Sequence, residues 1–348
     1  MTPSSQPQIP RFLLGFTLAL VVLGAAECGA EATESQLIPD MRVVHAPHDV
    51  TQVNPFVLWE PEPGLTEEAG VRVEINDMGM RGPKLSTSKS PRERRVMVLG
   101  DGVAFGQGVP EHRTLGQVAV DRLGGDRIGL KHINAGVVDY SLRQSQNLME
   151  LRGWSLLPDV LVVVPGVTDR AVGPHCDEEV IPLVRPAGYQ PWLAEHSALY
   201  RVLDYTVAVR HGRHHRRYQQ IVSQSEAAVA QDCPRLSPQG VQQSLEDLIG
   251  RSRSLGVRVV VLIAPLPEDL AGGASDQVAA YRSVTTQTAV RAGVSVVDGV
   301  AAFEQTGRDA AELWLDEAHP TEFGHRVLGR ALASALSEWI RGDAGRSR

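Results

Sequence analysis

The stretch that decides the fold is RVMVLGDGVAFGQGVP, residues 95–110. Val96, Met97, Val98 and Leu99 run into Gly100-Asp101-Gly102, and Phe105-Gly106-Gln107-Gly108 follows at once. An apolar strand that passes through a glycine-punctuated turn into a helix sets backbone N–H groups at the carboxyl edge of a parallel sheet. Open α/β folds place their sites there. The alternation continues downstream. Strands are expected over 95–99, 128–134, 159–164, 257–263 and 294–297, and helices over 114–123, 141–154, 239–254, 277–292 and 322–340. The run at 159–164 is nearly continuous Val and Leu, the pattern of a strand covered on both faces. Strands separated by helices in this way predict an α/β fold with a doubly wound parallel sheet and right-handed crossovers.

Three further blocks fall where that sheet has its carboxyl edge. Ile133-Asn134-Ala135-Gly136-Val137 closes the second strand, and Val164-Pro165-Gly166-Val167-Thr168-Asp169 follows the third. Leu315-Asp316-Glu317-Ala318-His319-Pro320 precedes the last helix. A carboxylate three residues before an imidazole can reach its Nδ1–H and leave Nε2 facing the sheet edge, with Pro320 suited to the first helical position. On the blander reading, Asp316 and His319 only cap the last helix, and Gly136 only serves a turn.

These blocks, in this order, resemble the SGNH (GDSL-like) hydrolase family. The resemblance covers 95–340 apart from an insertion at 171–238, and it implies a flavodoxin-like five-stranded sheet of order 2-1-3-4-5. It also implies serine acyl transfer: a hydroxyl attacks an ester carbonyl, a histidine takes the proton, an acid orients the histidine, and donors hold the oxyanion. Carried over by position, Asp316 and His319 are a retained dyad. The oxyanion donors are the backbone N–H groups of Gly102 and Gly136 and the side chain of Thr168, with Asp101 and Asp169 in support. The chain departs from the family twice. The family's first block reads Gly-Asp-Ser-x-x-x-Gly, and here Gly102 takes the place of the nucleophilic serine. Thr168 stands where an asparagine supplies an amide. No cofactor and no metal is implied.

A glycine at 102 is expected to leave a space the size of a hydroxymethyl group, in which a water can sit beside His319. Three functions are then open. The first is a catalytically degenerate esterase-like protein whose cleft binds an acyl or acetylated carbohydrate group. The second is a weak or altered esterase or acyltransferase that uses water or a substrate hydroxyl. The third is a structural or assembly protein of the cell envelope that works through the insertion.

The chain has 348 residues, 43% of them hydrophobic, and a formal net charge of −7. That balance argues against a nucleic-acid surface, which is broadly basic. Residues 1–32 read as a signal peptide or an N-terminal membrane anchor. Arg11 precedes an uncharged, largely apolar run at 12–26, and Glu27, Glu31 and Glu34 follow it. This asymmetry predicts export of the remainder. Gly24-Ala25-Ala26 and Ala30-Glu31-Ala32 are both suited to cleavage, while Glu27 argues against lipidation of Cys28. Residues 33–94 read as a linker with a small β or irregular segment that includes a strand at 71–75. Within it, Asn76-Asp77-Met78-Gly79-Met80-Arg81-Gly82 resembles a segment that precedes many exported domains of this family. Its simplest reading is a tight turn with Gly79 at positive φ and an exposed arginine.

The main domain is expected over 95–341, with a disordered tail at 342–348. The insertion holds Cys176 and Cys233, which form an expected disulfide in an exported chain. It also holds a proline-rich part (Pro174, Pro182, Pro186, Pro191) and a helix from 197 to about 224. The run Arg210-His211-Gly212-Arg213-His214-His215-Arg216-Arg217 reads first as a solvated face. Anionic glycans, lipid head groups or a metal on His211, His214 and His215 are the sharper alternatives.

Overall fold

Two short antiparallel hairpins precede the sheet in this computed structural model, which describes residues 11–37, 51–54, 57–172, 176–178, 193, 196–210 and 233–344. Strand β1 (Thr51–Asn54) pairs with β2 (Leu58–Pro61), and β3 (Gly64–Glu68) pairs with β4 (Val71–Ile75). Five parallel strands follow: β5 (Arg94–Gly100), β6 (Leu130–Gly136), β7 (Val160–Val164), β8 (Arg258–Ile263) and β9 (Ser295–Asp298). Their order is β6-β5-β7-β8-β9, the 2-1-3-4-5 arrangement. The second strand starts and ends two residues later than the sequence suggests, because Gly125–Ile128 forms a 3₁₀ turn ahead of it.

The helices are α1 (Arg11–Leu37), α2 (Gly102–Phe105), α3 (Leu115–Leu123), α4 (Leu142–Leu151), α5 (Val167–Arg170), α6 (Ala198–Arg210), α7 (Pro238–Ser254), α8 (Asp276–Arg291) and α9 (Glu322–Ala344). Short helical turns lie between several of them. Alternation along the strands divides the core. Met97, Leu99, Leu161 and Val163 pack toward Leu148 of α4, Leu245 of α7 and Tyr281 of α8. Val96, Val98, Val160 and Val162 pack toward Leu115 of α3 and Leu332 of α9. A period of two on a sheet with both faces covered accounts for the unbroken apolar runs.

The segment ahead of the sheet is less irregular than its composition suggests. Val57, Leu58 and Trp59 are buried in the same core as Met97 and Leu161. Arg81 makes backbone bridges to Ile75 and to Asn134 of β6, which ties the second hairpin to the sheet. Gly79 has φ +68°, as a tight turn requires. The arginine of that motif is not exposed, however. Arg81 is 3% accessible, because its guanidinium donates to the carbonyls of Phe105, Gly106 and Val109 and its Nε lies 2.7 Å from Glu111 Oε2. It also covers the Phe105 ring at 4.8 Å.

At the base of the insertion Cys176 and Cys233 are bonded, with Cα atoms 6.0 Å apart. Beside them Arg235 pairs with Asp177 at 2.9 Å and donates to Asp139 O and Gln144 Oε1. The basic run from His211 to Arg217, Pro174, Pro182, Pro186, Pro191 and the far part of the expected helix lie outside the described residues. Among the described residues no helix is long and apolar enough to cross a membrane, and no group of three or more His, Cys, Asp or Glu side chains could hold a metal ion.

Candidate functional site

The strand register sets the site. Gly100 of β5 is level with Gly136 of β6 and Val164 of β7, so the segments leaving all three strands emerge side by side. Gly100 has φ +152°, and a Cβ there would overlap Val164 O, so a side chain is excluded on both counts. The chain then turns at Asp101, whose Oδ1 accepts from Val103 N and caps α2.

The loop before α9 presents the acid and the imidazole. Asp316 Oδ2 lies 2.8 Å from His319 Nδ1, and Asp316 Oδ1 accepts from the N–H groups of Ala318 and His319 at 2.8 Å. Burial pulls Asp316 up, but those N–H groups and the imidazole outweigh it and hold the carboxyl below its ordinary value. The Nδ1 hydrogen faces the carboxylate, so Nε2 is the free nitrogen of the neutral ring. Neither residue caps α9. Thr321 does so, accepting from Gly324 N at 3.1 Å. Nor does Pro320 start the helix. It bridges Trp314, and helix α9 begins at Glu322.

His319 reaches across to Gly102. A Cβ on Gly102 would overlap the imidazole, Nε2 first, and would lie 3.0 Å from Gln107 Oε1. The ring therefore crowds the place that a side chain at residue 102 would take. Gln107 went unnoticed in the sequence, where it is a lone amide between two glycines. Its Nε2 donates to Glu68 Oε1 at 2.8 Å, which fixes the amide so that Oε1 faces Gly102. That oxygen is buried and has no hydrogen-bond partner.

The other two expected oxyanion donors point elsewhere. Thr168 Oγ1 and Thr168 N both donate to Asp101 Oδ2 at 3.3 Å, so the hydroxyl serves the buried acid. Gly136 N donates to Asn134 Oδ1 at 3.2 Å, and Asn134 Nδ2 donates to Phe105 O. Gly136 is needed for close approach, since a Cβ there would overlap Phe105 N and Ala104 C of α2. In the turn that follows β6 the left-handed residue is Asp139, with φ +59°.

Two acids line the buried side. Burial, the largest influence, raises the Asp101 carboxyl above its ordinary value against the pull of its N–H donors. Asp169 accepts from Leu142 N at 2.7 Å and Gly166 N at 3.2 Å. Burial, reinforced by the nearby Asp101, still pushes Asp169 up to about 7. A Cβ on Gly166 would overlap the Asp101 carboxylate, so the third block packs directly on the first. Behind it lies a cavity of about 40 Å³ lined by Gly166, Asp169, Ile263, Leu266, Val278 and Tyr281, apart from the dyad.

The profile of the GDSL-like lipase/acylhydrolase family matches residues 98–327. No curated protein matches the sequence. Among solved structures, the hydrolase LAE5 from the metagenome of Lake Arreo, Spain, is 15% identical, with a TM-score of 0.46 over 72% of this chain and 98% of that one. The acetylxylan esterase Axe2 of Geobacillus stearothermophilus is 16% identical, with a TM-score of 0.45 over 70% of this chain and 94% of the other. The lipase/acylhydrolase of Enterococcus faecalis is 12% identical, with a TM-score of 0.45 over 70% and 96%.

Proposed function

Because the chain belongs to the GDSL-like lipase/acylhydrolase family, we propose that it is an exported, catalytically silent relative that keeps a cleft for an acyl or acetylated carbohydrate group. The observation that carries this reading is the seat of His319. Its Nε2 closes on the place a nucleophile's Cβ would take, and Gly102 offers no attacking oxygen. The engagement of Thr168 and Gly136 with Asp101 and Asn134 supports the same reading, since a tetrahedral oxyanion would lack two of its three expected donors. Asp316 and His319 hold the geometry of an orienting acid and a base, yet the base has nothing on the protein to deprotonate. A second reading, a weak esterase or acyltransferase that activates a substrate hydroxyl, draws on that dyad alone.

Turnover of short acyl esters decides between the two. Wild type should match His319→Ala, with neither rate above background. Gly102→Ser combined with Thr168→Asn requires the imidazole to swing back from the new Cβ; with that shift it should gain His319-dependent turnover, the added amide contributing on the order of 10²–10³. A wild-type rate that His319→Ala abolishes overturns the silent reading. Acetylated oligosaccharides should raise the melting temperature of wild type, which checks the cleft independently of turnover.

A further inference from the structure

Helix α1 is continuous from Arg11 to Leu37 and so runs through both small-residue sequences that suit cleavage. Its two halves have different surroundings. In the carboxyl half, Ala30 is buried, and Ala26 and Glu27 are half-buried on the same face. That face lies against α6 of the insertion. Glu27 supplies the end of α6 with acceptors from a point 170 residues away in sequence. Its carboxylate takes the Ser197 hydroxyl at 2.7 Å and the backbone N–H groups of Ala198 and Leu199. The first N–H groups of a helix have no partners of their own, so α6 draws on α1 for them.

Residues 19–25 of the helix are bare. Leu20, Val21, Val22 and Leu23 are 54%, 62%, 58% and 57% exposed. Successive helical residues are about 100° apart, so these four point around the whole circumference. A partner helix or a second copy of the chain would cover one stripe and leave the opposite side in water. A helix that is apolar on every side suits a medium that surrounds it.

We propose that α1 is retained in the mature protein, with its apolar half embedded in the hydrocarbon of a lipid bilayer and its carboxyl half docked on α6. The uncharged run at 12–26 covers ~22 Å of helix, somewhat short of a full hydrocarbon core of ~30 Å. Arg11 at one end and Glu27 at the other mark where the polar boundary falls. On this reading the insertion clamps the membrane segment to the folded domain. Cleavage after Ala26 or Ala32 would cost α6 the carboxylate that caps it or cut that carboxylate free of its helix.

The test is to express the full chain, separate membranes, wash them at alkaline pH and measure the intact mass. The mature protein should stay in the washed membranes and include residues 11–37. A mature chain that begins at Glu27 or Thr33 overturns the proposal. The purified full chain, mixed with phosphatidylcholine/phosphatidylglycerol vesicles, should float with them. Leu20→Glu with Val22→Glu should lower the floated fraction at least about tenfold and leave the melting temperature unchanged, since both side chains are exposed. A retained α1 that does not float, or a chain that buries α1 as a soluble dimer, overturns the lipid as occupant. Glu27→Ala should leave flotation intact and speed proteolysis within 198–210 several-fold. Unchanged proteolysis there overturns the clamp.

Discussion

The cleft has a buried side and an exposed side, and their polar groups are arranged differently. On the exposed side, Asp316 and His319 keep an acid–imidazole geometry at 2.8 Å, with the acid side chain 55% accessible. On the buried side, Thr168 bonds Asp101 and Gly136 bonds Asn134, so two of the three expected oxyanion donors are already used. The difference follows from solvation. The pair costs little to keep, because the Asp316 carboxylate stays solvated. A buried donor without its ligand must find an acceptor inside the protein or forfeit about 1–3 kcal/mol. The first and third blocks therefore pair inward, whereas the last block holds its shape by its own turn and the Trp314–Pro320 bridge.

Arg81→Ala should give the largest effect. It removes the guanidinium that holds the carbonyls of Phe105, Gly106 and Val109 and leaves Glu111 without its closest cation. Loss of one partner from such a pair costs about 3–5 kcal/mol, readable as a shift in the urea midpoint. A loss under about 1 kcal/mol would mean that the loop holding Gly102 and Gln107 stands without the upstream motif.

Next in size is the pH dependence set by Asp169. Its folded value of about 7 lies above the unfolded one, so the folded chain holds a proton that the unfolded chain releases. Stability should fall as pH rises from about 4 to about 7, then level off. Asp101, raised in the same direction, adds to that slope. Asp169→Asn should flatten the melting temperature over this window. An unchanged slope would place the burial cost elsewhere.

Asp316→Asn should have the smallest effect on stability, under about 1 kcal/mol at neutral pH, because the Asp316 side chain is exposed and its charge screened. Its lowered carboxyl contributes stability above the unfolded value, lost as pH falls through the folded one, so the variant should differ from wild type least in acid. A larger loss at neutral pH would show that the loop depends on the dyad for its fold.

The sheet was legible in the sequence because each strand is an apolar run bounded by glycine or a polar turn, and backbone periodicity is a local property. Asp316 and His319 were legible for the same reason, being three residues apart in one loop. Arg81 was misread as exposed, since its partners lie 24 to 28 residues away on the far side of a strand. Gln107 was missed altogether, because its role depends on Glu68 and Gly102 meeting around it.

By itself the sequence determined the α/β class, the strand order through the family resemblance, and the absence of a side chain at residue 102. Only the tertiary structure decided where the polar groups point. It directed Thr168 to Asp101, Gly136 to Asn134 and His319 into the space at Gly102. Those choices are set by which buried groups must satisfy one another once the chain has closed, and for Thr168 with Asp101 and His319 with Gly102 no window of local sequence contains both partners.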